Sequence, residues 1–517
     1  MSQASDALAQ ALRASYAACA ATPDLHAGQV ENGLNICQDS LRAGQAHLAL
    51  PLLQLLAQRG VSRPRLFSLL GHGLRLEQRL LEAREAFAKA KAMVPDDIGA
   101  LTDLAQIQFE LGLPAAELFG EAVNRSGGRL DLIRRYAAAL VAEGRAEDAL
   151  ATLKDSLVAH PEWLDGHKSL ASFLWLEGEG ANSADSLAEA CQKLPNRPEL
   201  WMTWFQLVAQ ARNWAKARAI LDEAEVRLGA TPALMVARLF LATESMDQAE
   251  SVKWLAATRH ISGDGVSLCR IRHAIRLGDF EAAEREISPR LQGPSAALFW
   301  PYASIVWRLM GDDRAEWLDR PNLLPATRDA GLSNADLQNL AETLRALHIA
   351  QRPYPEQSVR GGTQTDRSVL LRHEPILVKT RQALMEVLAD YVSHLPPPEP
   401  DHPLLSAPRG NLAIEGSWSV RLSRQGYNVP HTHPKGWLST AFYVSIPKPD
   451  EMGPAPAGFL ALGTPPVELA TGLGAMRHIA PAPGRLAIFP STLWHSTEPF
   501  DDGERLVIAF DVRRPER

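Results

Sequence analysis

The sequence is poor in cysteine and carries no strong excess of either charge. Its 517 residues include four cysteines, Cys19, Cys37, Cys191 and Cys269, which lie far apart and form no CxxC pair. This spacing argues against a disulfide framework or a thiolate zinc site, and it predicts reduced thiols in a cytoplasmic protein. The formal net charge of −7 gives no electrostatic reason to expect nucleic acid or an anionic membrane as a partner.

Long hydrophobic runs are also missing. No stretch approaches the roughly 18 apolar residues of a membrane span, and the N-terminal residues lack the basic and apolar regions of a signal peptide. The motifs HExxH, GxSxG and the P-loop do not occur. The sequence therefore predicts no membrane partner, and it offers none of these motifs for a metalloprotease, a serine hydrolase or a nucleoside triphosphatase.

A repeat of about 34 residues runs through the alanine- and leucine-rich part of the chain that ends near residue 320. Large apolar and small residues recur in the same order in units that begin at Pro64, Leu130, Leu164 and Glu199. The pattern resembles the tetratricopeptide repeat over residues 64–230, and more weakly over 30–63, 98–129 and 231–318. The resemblance implies an α-solenoid whose concave surface binds a peptide or another protein. A generic helical bundle is the alternative, but it does not explain a fixed period.

The period disappears after residue 320. Residues 332–351 and 376–395 have helical spacing, with Ser333 or Asn334 as the N-cap of the first helix. Residues 352–365, which include RGGTQT, are polar and show no periodicity. We therefore predict a helical-repeat domain over residues 1–330 and a second domain over 331–517.

From Ser417 onward the apolar pattern has a period of two. Five short segments rich in aromatic and β-branched residues are separated by Gly/Pro turns: SWSVRLS, WLSTAFYVSIP, AGFLALG, RLAIFP and RLVIAFDV. Several such strands without a helix between them predict a sandwich or a barrel.

Three histidines in this region form a candidate metal site. His431 and His433 are two residues apart, so in an extended chain their imidazoles project from the same face. His495 follows 62 residues later. Imidazole suits iron, zinc, copper and nickel, so these three residues are the predicted metal ligands.

The last predicted strand supplies a cation to the same site. Alternation along ERLVIAFDV places Arg505 with small residues on one face, while the large apolar residues of the other face pack against supporting helices. A guanidinium there is suited to grip a carboxylate with two parallel hydrogen bonds. The same alternation in LSTAFYV places Ser439 and Tyr443 on one face, where a hydroxyl can reach the other oxygen of that carboxylate.

An HxH pair, a distal histidine and an arginine ten residues later resemble the Fe(II)/2-oxoglutarate-dependent dioxygenases. The segments HTHPKGWLSTAFYV, GRLAIFPSTLWHSTEPF and ERLVIAFDV resemble the bacterial branch that carries N-terminal tetratricopeptide repeats. The resemblance implies a multidomain α + β protein, an α-solenoid followed by a double-stranded β-helix (jelly-roll) domain with supporting helices. It also implies Fe(II) as cofactor, 2-oxoglutarate and O2 as cosubstrates, and hydroxylation of a peptide or protein side chain recruited by the repeats.

On this resemblance, His431, His433 and His495 are the metal ligands. Arg505 binds the distal carboxylate of 2-oxoglutarate, with Tyr443 or Ser439 beside it. The family usually has a carboxylate where this chain has His433, and that departure keeps a second hypothesis open. The chain is then a repeat scaffold whose oxygenase-like domain is inactive or senses metal or 2-oxoglutarate. A cupin is the rival fold, although its usual glutamate after the histidine pair is missing, and an iron enzyme independent of 2-oxoglutarate is a third reading.

Overall fold

The computed structural model describes residues 3–180 and 182–515, and within these ranges the chain forms helices first and strands last. The described residues form two compact units, one made of those up to residue 153 with 371–378 and the other of those from 154 to 370 with those from 379 onward. These units do not coincide with the two predicted domains, and the division at residue 330 remains a prediction. Among the described residues, no helix has the length and apolar character needed to cross a membrane.

The first unit consists of helices that pack against their neighbours in chain order. They are α1 (Gln3–Ala21), α2 (Ala27–Arg42), α3 (Ala46–Gln58), α4 (Pro64–Leu76), α5 (Leu80–Met93), α6 (Ile98–Glu110), α7 (Ala116–Arg125), α8 (Leu130–Ala142) and the start of α9 (Ala146–Ala159). Small residues allow the close approach of paired helices. A Cβ at Gly71 of α4 would lie 2.6 Å from the ring of Phe87 in α5, so only glycine fits there.

The second unit continues the helical pairs. Its helices before the first strand are α10 (Leu164–Leu176), α11 (Asp185–Lys193), α12 (Pro198–Gln210), α13 (Trp214–Leu228), α14 (Pro232–Glu244), α15 (Gln248–Ala257), α16 (Asp264–Leu277), α17 (Phe280–Ile287), α18 (Ala296–Met310) and α19 (Arg314–Asp319). Trp201 of α12, only 1% exposed, lies in a core formed by α11, α12, α13 and α14.

The helix starts confirm the predicted repeat. First helices of successive pairs begin at Pro64, Ile98, Leu130, Leu164, Pro198 and Pro232. Each start follows the previous one by 32 or 34 residues, including the pairs at 98 and 232 where the sequence pattern is weak. Proline stands at the first helical position in three of them, where its missing N–H costs nothing.

The strands form two antiparallel sheets in the second unit. They are β1 (Ala326–Asp329), β2 (Val359–Gln364), β3 (Ile414–Asn428), β4 (Leu438–Ser445), β5 (Leu460–Leu462), β6 (Arg477–Ile479), β7 (Arg485–Pro490), β8 (His495–Thr497) and β9 (Glu504–Val512). The large sheet has the order β1-β7-β4-β9-β3-β2 and the small sheet the order β6-β5-β8.

Apolar side chains from both sheets share one core, so the sheets pack face to face. The large sheet contributes Phe489 and Val507, and the small sheet contributes Leu460 and Ile479. Leu506, Ile508 and Phe510 on the other face of β9 are fully buried. The predicted α-solenoid followed by a jelly-roll domain is therefore confirmed.

Three further helices accompany the sheets: α20 (Asn334–Leu347), α21 (Pro375–Ser393) and α22 (Pro449–Met452). Ser333 caps α20, because its hydroxyl accepts a hydrogen bond from the Asp336 backbone N–H at 3.2 Å. Short 3-10 turns cover Ser288–Arg290, Val369–Leu371 and Val467–Leu469. The helices predicted at 332–351 and 376–395 are thus confirmed, with slightly shorter bounds.

The segment that shows no periodicity in the sequence contains strand β2, which the sequence did not predict. Strand β2 pairs with β3, and its register shifts between Arg360 and Gly362. Gly361 has a φ of +68°, and a Cβ at Gly362 would lie 2.2 Å from the Arg421 carbonyl oxygen. The two glycines of RGGTQT therefore accommodate a bulge and a close backbone approach, which interrupts the alternation expected of a strand.

Candidate metal centre

His431 and His433 lie in the segment that follows β3, and His495 opens β8. Backbone hydrogen bonds hold the two segments together, from His431 N–H to the His495 carbonyl and from His495 N–H to the His431 carbonyl, both at 3.0 Å. His433 N–H donates to the Ser491 carbonyl at 3.0 Å. Because of this pairing, one ring nitrogen from each histidine lies within 4.8 Å of the other two.

All three imidazoles have an oxygen atom beside Nδ1. His431 Nδ1 lies 2.8 Å from the Val429 carbonyl, and His495 Nδ1 lies 3.0 Å from the Leu493 carbonyl. In both cases the carbonyl belongs to the residue two positions earlier. A carbonyl can only accept, so each Nδ1 carries the proton and each Nε2 keeps its lone pair. A metal ion needs such a lone pair from each ligand.

His433 is oriented by a carboxylate instead. Its Nδ1 lies 2.7 Å from Asp511 Oδ2, and the Ser439 hydroxyl donates to Asp511 Oδ1 at 2.7 Å. Ser439 Oγ is also 2.9 Å from Ser491 Oγ. The ring of Trp418 stacks on His433 with a centroid distance of 5.3 Å and an interplanar angle of 2°. A buried carboxylate and a stacked indole therefore fix both the tautomer and the plane of His433.

Burial favours the neutral form of His431 and His495. Burial, with a smaller contribution from the neighbouring His433, lowers the pKa of His431 to about 3. Burial is also the main reason that the pKa of His495 lies well below its ordinary value, with His431 and His433 adding to the effect. A neutral imidazole is the form that binds a metal ion.

Arg505 is a buried cation, and no carboxylate of the described residues lies within ion-pair distance of it. Its side chain is 2% exposed, and its Cζ lies 5.0 Å from the centroid of the Tyr443 ring. Within the described chain, neither Arg505 Nε nor the Tyr443 hydroxyl has a hydrogen-bond partner. Burial lowers the pKa of this guanidinium. An unpaired buried guanidinium is costly, so the site is suited to an anionic ligand.

One cavity brings these residues together. It is lined by the three histidines and by Arg505 and Ser439, with Trp418, Asn428, Phe489, Val507, Ala509 and Asp511 among its other walls. The ring of Tyr443 lies under Arg505. The structure thus places all six predicted site residues in or beside one cavity.

Two residues with evident roles were not identified from the sequence. Asp511 continues the series 505, 507 and 509 along β9, so its place on the cavity face follows from strand alternation. Trp418 lies opposite Ala509 in the neighbouring strand. Alternation points to both positions, but only the tertiary structure shows that both side chains contact His433.

The comparisons with known proteins concern two parts of the chain. Residues 416–511 match the family model described as "Putative 2OG-Fe(II) oxygenase". No curated protein matches the chain.

Three solved structures are similar to parts of this chain. A tetratricopeptide repeat protein from Parabacteroides merdae ATCC 43184 is 14% identical with a TM-score of 0.31, over 46% of this chain and 98% of that chain. MamA from Desulfovibrio magneticus RS-1 is 16% identical with a TM-score of 0.29, over 31% and 93%. A Pseudomonas putida prolyl-4-hydroxylase is 16% identical with a TM-score of 0.26, over 40% and 100%. Similarities this weak carry no conclusion about function.

The match to the family model covers all three histidines and Arg505. The helices that precede it recur with the spacing of tetratricopeptide repeats. Residues 416–511 therefore resemble the 2OG-Fe(II) oxygenase family, and they follow a tetratricopeptide-like helical array in the same chain.

Proposed function

We propose that the protein is an Fe(II)- and 2-oxoglutarate-dependent dioxygenase that hydroxylates a side chain of a peptide or protein recruited by the helical array. One observation carries this proposal. Three imidazoles offer ligand nitrogens within 4.8 Å of one another, in the cavity that also holds the buried Arg505, whose Nε has no hydrogen-bond partner among the described residues. That combination suits a metal ion together with an anionic cosubstrate.

His431, His433 and His495 are the residues that would hold the iron, each through Nε2. Bound iron supplies the activation of O2 and of the keto acid. In the overall reaction, 2-oxoglutarate, O2 and a substrate C–H group give succinate, CO2 and a C–OH group. One oxygen atom enters succinate and the other enters the substrate, so the reaction needs no further reductant.

His433 stands where related domains have a carboxylate, and Asp511 supplies the missing negative charge. Its carboxylate is 2.7 Å from His433 Nδ1, on the side of the ring opposite to the proposed ligand atom. A carboxylate in this position raises the basicity of the ligating nitrogen and fixes the ring. The chain therefore retains a carboxylate near the metal site, separated from the proposed metal position by the His433 side chain.

Arg505 binds the distal carboxylate of 2-oxoglutarate in this proposal. The guanidinium can form two parallel hydrogen bonds to a carboxylate, and the free Tyr443 hydroxyl is the nearest candidate to share it. The Ser439 hydroxyl donates to Asp511, and its predicted contact with the cosubstrate stays a prediction. The apolar walls formed by Phe489 and Val507 limit access of water to the cavity.

The helical array is what supports a peptide or protein as substrate. Stacked helical pairs form extended concave surfaces, and a binding surface on the same chain raises the effective concentration of a recruited segment at the active site. The oxygenase chemistry and the recruitment are separate parts of the proposal.

Two assays test the chemistry. Anaerobic addition of Fe(II) and 2-oxoglutarate to the full chain should produce a visible charge-transfer band, and aerobic incubation with candidate peptides should release succinate. His495→Ala should abolish both signals. If the wild-type chain gives neither the band nor succinate, the protein is a scaffold with an inactive domain, and the proposal is wrong.

A further inference from the structure

A long groove leads to the metal centre from the helical side of the second compact unit. Its volume is about 1180 Å³, above the roughly 300–1,000 Å³ typical of small-molecule sites. One wall is formed by exposed faces of α12 and α14, and the other by residues 355–360 and 429–432. His431 lines both this groove and the cavity of the metal centre.

The helical wall combines aromatic rings with exposed amides. Phe240 of α14 is 41% exposed, and its ring meets Phe205 of α12 edge-on at 6.3 Å. Gln206 and Gln210 of α12 face the groove and are exposed. A primary amide both donates and accepts a hydrogen bond, as does each peptide unit.

The spacing of the two glutamines matches an extended chain. Residues four apart on a helix are separated by about 6.0 Å along its axis. Alternate residues of an extended strand are about 6.6 Å apart. Gln206 and Gln210 can therefore bond successive peptide units that point in the same direction.

A residue of the opposite wall contacts the ring nitrogen of His431 that is the proposed metal ligand. Ser358 lines the groove, and its Oγ lies 3.3 Å from His431 Nε2. Asn428 Nδ2 donates to Ser358 Oγ at 2.9 Å. Since His431 Nε2 is the proposed iron ligand, a molecule that lies along this wall comes within one side chain of the iron site.

We infer that this groove binds an extended, apolar segment of the protein substrate, with its main chain bonded to Gln206 and Gln210 and its side chains against the exposed ring of Phe240. The segment then passes His431 and carries one residue into the cavity. This inference rests on the proposed function, because it assigns the substrate of the same site.

The charges of the groove fit an uncharged segment better than a nucleic acid. Arg212 at its edge pairs with Glu468 at 2.8 Å, and Glu244 pairs with Arg272 at 2.9 Å. These pairs neutralise one cation and one anion of the lining. Arg360 and Glu356 add one further cation and one further anion to it, so its formal charges balance. Binding would therefore depend on apolar burial and main-chain bonds, with the weak salt dependence that distinguishes a peptide from a polyanion.

The test uses a display library of random decapeptides and the metal-free full chain. We expect enrichment of peptides with apolar residues at alternate positions. Binding should weaken about tenfold or more for Phe240→Asp and for the double variant Gln206→Ala/Gln210→Ala. Matched controls outside the groove are Val226→Asp and Gln192→Ala, both at exposed positions, and these should bind like the wild type.

Three results would overturn the inference. The library could give no enriched peptide, the enriched peptides could bind the groove variants as tightly as the wild type, or salt at about 0.5 M could release them as it releases a polyanion. Failure of the chemistry is separate. Peptide binding without succinate release leaves the groove assignment intact and removes the oxygenase proposal, whereas binding of Fe(II) and 2-oxoglutarate without peptide binding does the reverse.

Discussion

Asp511→Asn tests whether a carboxylate behind His433 replaces the missing acidic ligand. Asparagine has nearly the same shape and keeps an oxygen that can accept from His433 Nδ1. It removes only the negative charge from a side chain that is 10% exposed, next to an imidazole that is 16% exposed. Any loss of metal affinity then reports the charge and not a cavity.

The expected loss follows from the contacts of Asp511. Hydrogen-bond partners behind a metal ligand are worth about 10- to 100-fold in affinity. The asparagine variant keeps a neutral hydrogen bond, so we expect about a tenfold loss, or about 1.4 kcal/mol. Asp511→Ala also leaves His433 Nδ1 without an acceptor, so we expect about a hundredfold loss, or about 2.7 kcal/mol.

Cobalt(II) is a suitable probe because its visible absorption reports the ligand set. Metal-free full chain would be titrated anaerobically in competition with a chelator of known affinity. The matched control is Asp502→Asn, which makes the same charge change at an exposed turn residue whose side chain is 64% exposed. It should bind cobalt like the wild type.

A second pair of variants tests the same charge argument. His433→Asp alone places a carboxylate beside that of Asp511, and like charges in a buried site repel. Combining it with Asp511→Asn removes the repulsion, so the double variant should bind cobalt more tightly than His433→Asp alone. If Asp511→Asn binds within about twofold of the wild type while its circular dichroism is unchanged, the charge argument is wrong.

Three further predictions concern other parts of the second unit. Arg505→Ala should weaken 2-oxoglutarate binding to the cobalt-loaded chain by about a hundredfold, and Arg505→Lys by about tenfold, because lysine keeps the charge but loses the paired hydrogen bonds. The affinities would be measured by calorimetry, and affinities equal to that of the wild type would exclude Arg505 as the carboxylate partner. Gly362→Ala should lower the free energy of unfolding by about 1–3 kcal/mol in urea, because its Cβ would meet the Arg421 carbonyl, whereas Gly410→Ala has open space and should be neutral. Burial lowers the pKa of His348 to about 4, so between that value and about 6.5 the unfolded chain binds more protons and stability falls as the pH falls. His348→Gln should remove about 3 kcal/mol of this acid destabilisation, and identical pH profiles of the two proteins would contradict this role of His348.

The helical array shows how much of the fold the sequence period predicts. Helix starts at Pro64, Leu130, Leu164 and Pro198 agree with the units read from the sequence, because each repeat buries its apolar face against its chain neighbours. The weaker units at 98 and 232 form helices with nearly the same spacing. Their sequences drift because small and large residues can be exchanged while packing volume is kept.

Strand β2 shows where periodicity fails. Gly361 and Gly362 interrupt the alternation at a bulge, and the close approach of the Arg421 carbonyl comes from a strand far along the chain. Nothing local distinguishes such a segment from a polar loop. The structural role of the two glycines can be recognised only once the partner strand of β2 is known.

The sequence by itself determined the repeat and the strand alternation, since these follow from local periods, and its resemblance to a known family grouped His431, His433, His495 and Arg505. Only the tertiary structure decided what surrounds them. Asp511 lies 78 residues from His433 along the chain, and the groove beside His431 joins helices to loops that are far away in the sequence. Contacts of this range depend on how the elements pack, and a pattern along one chain does not encode the distance between two elements.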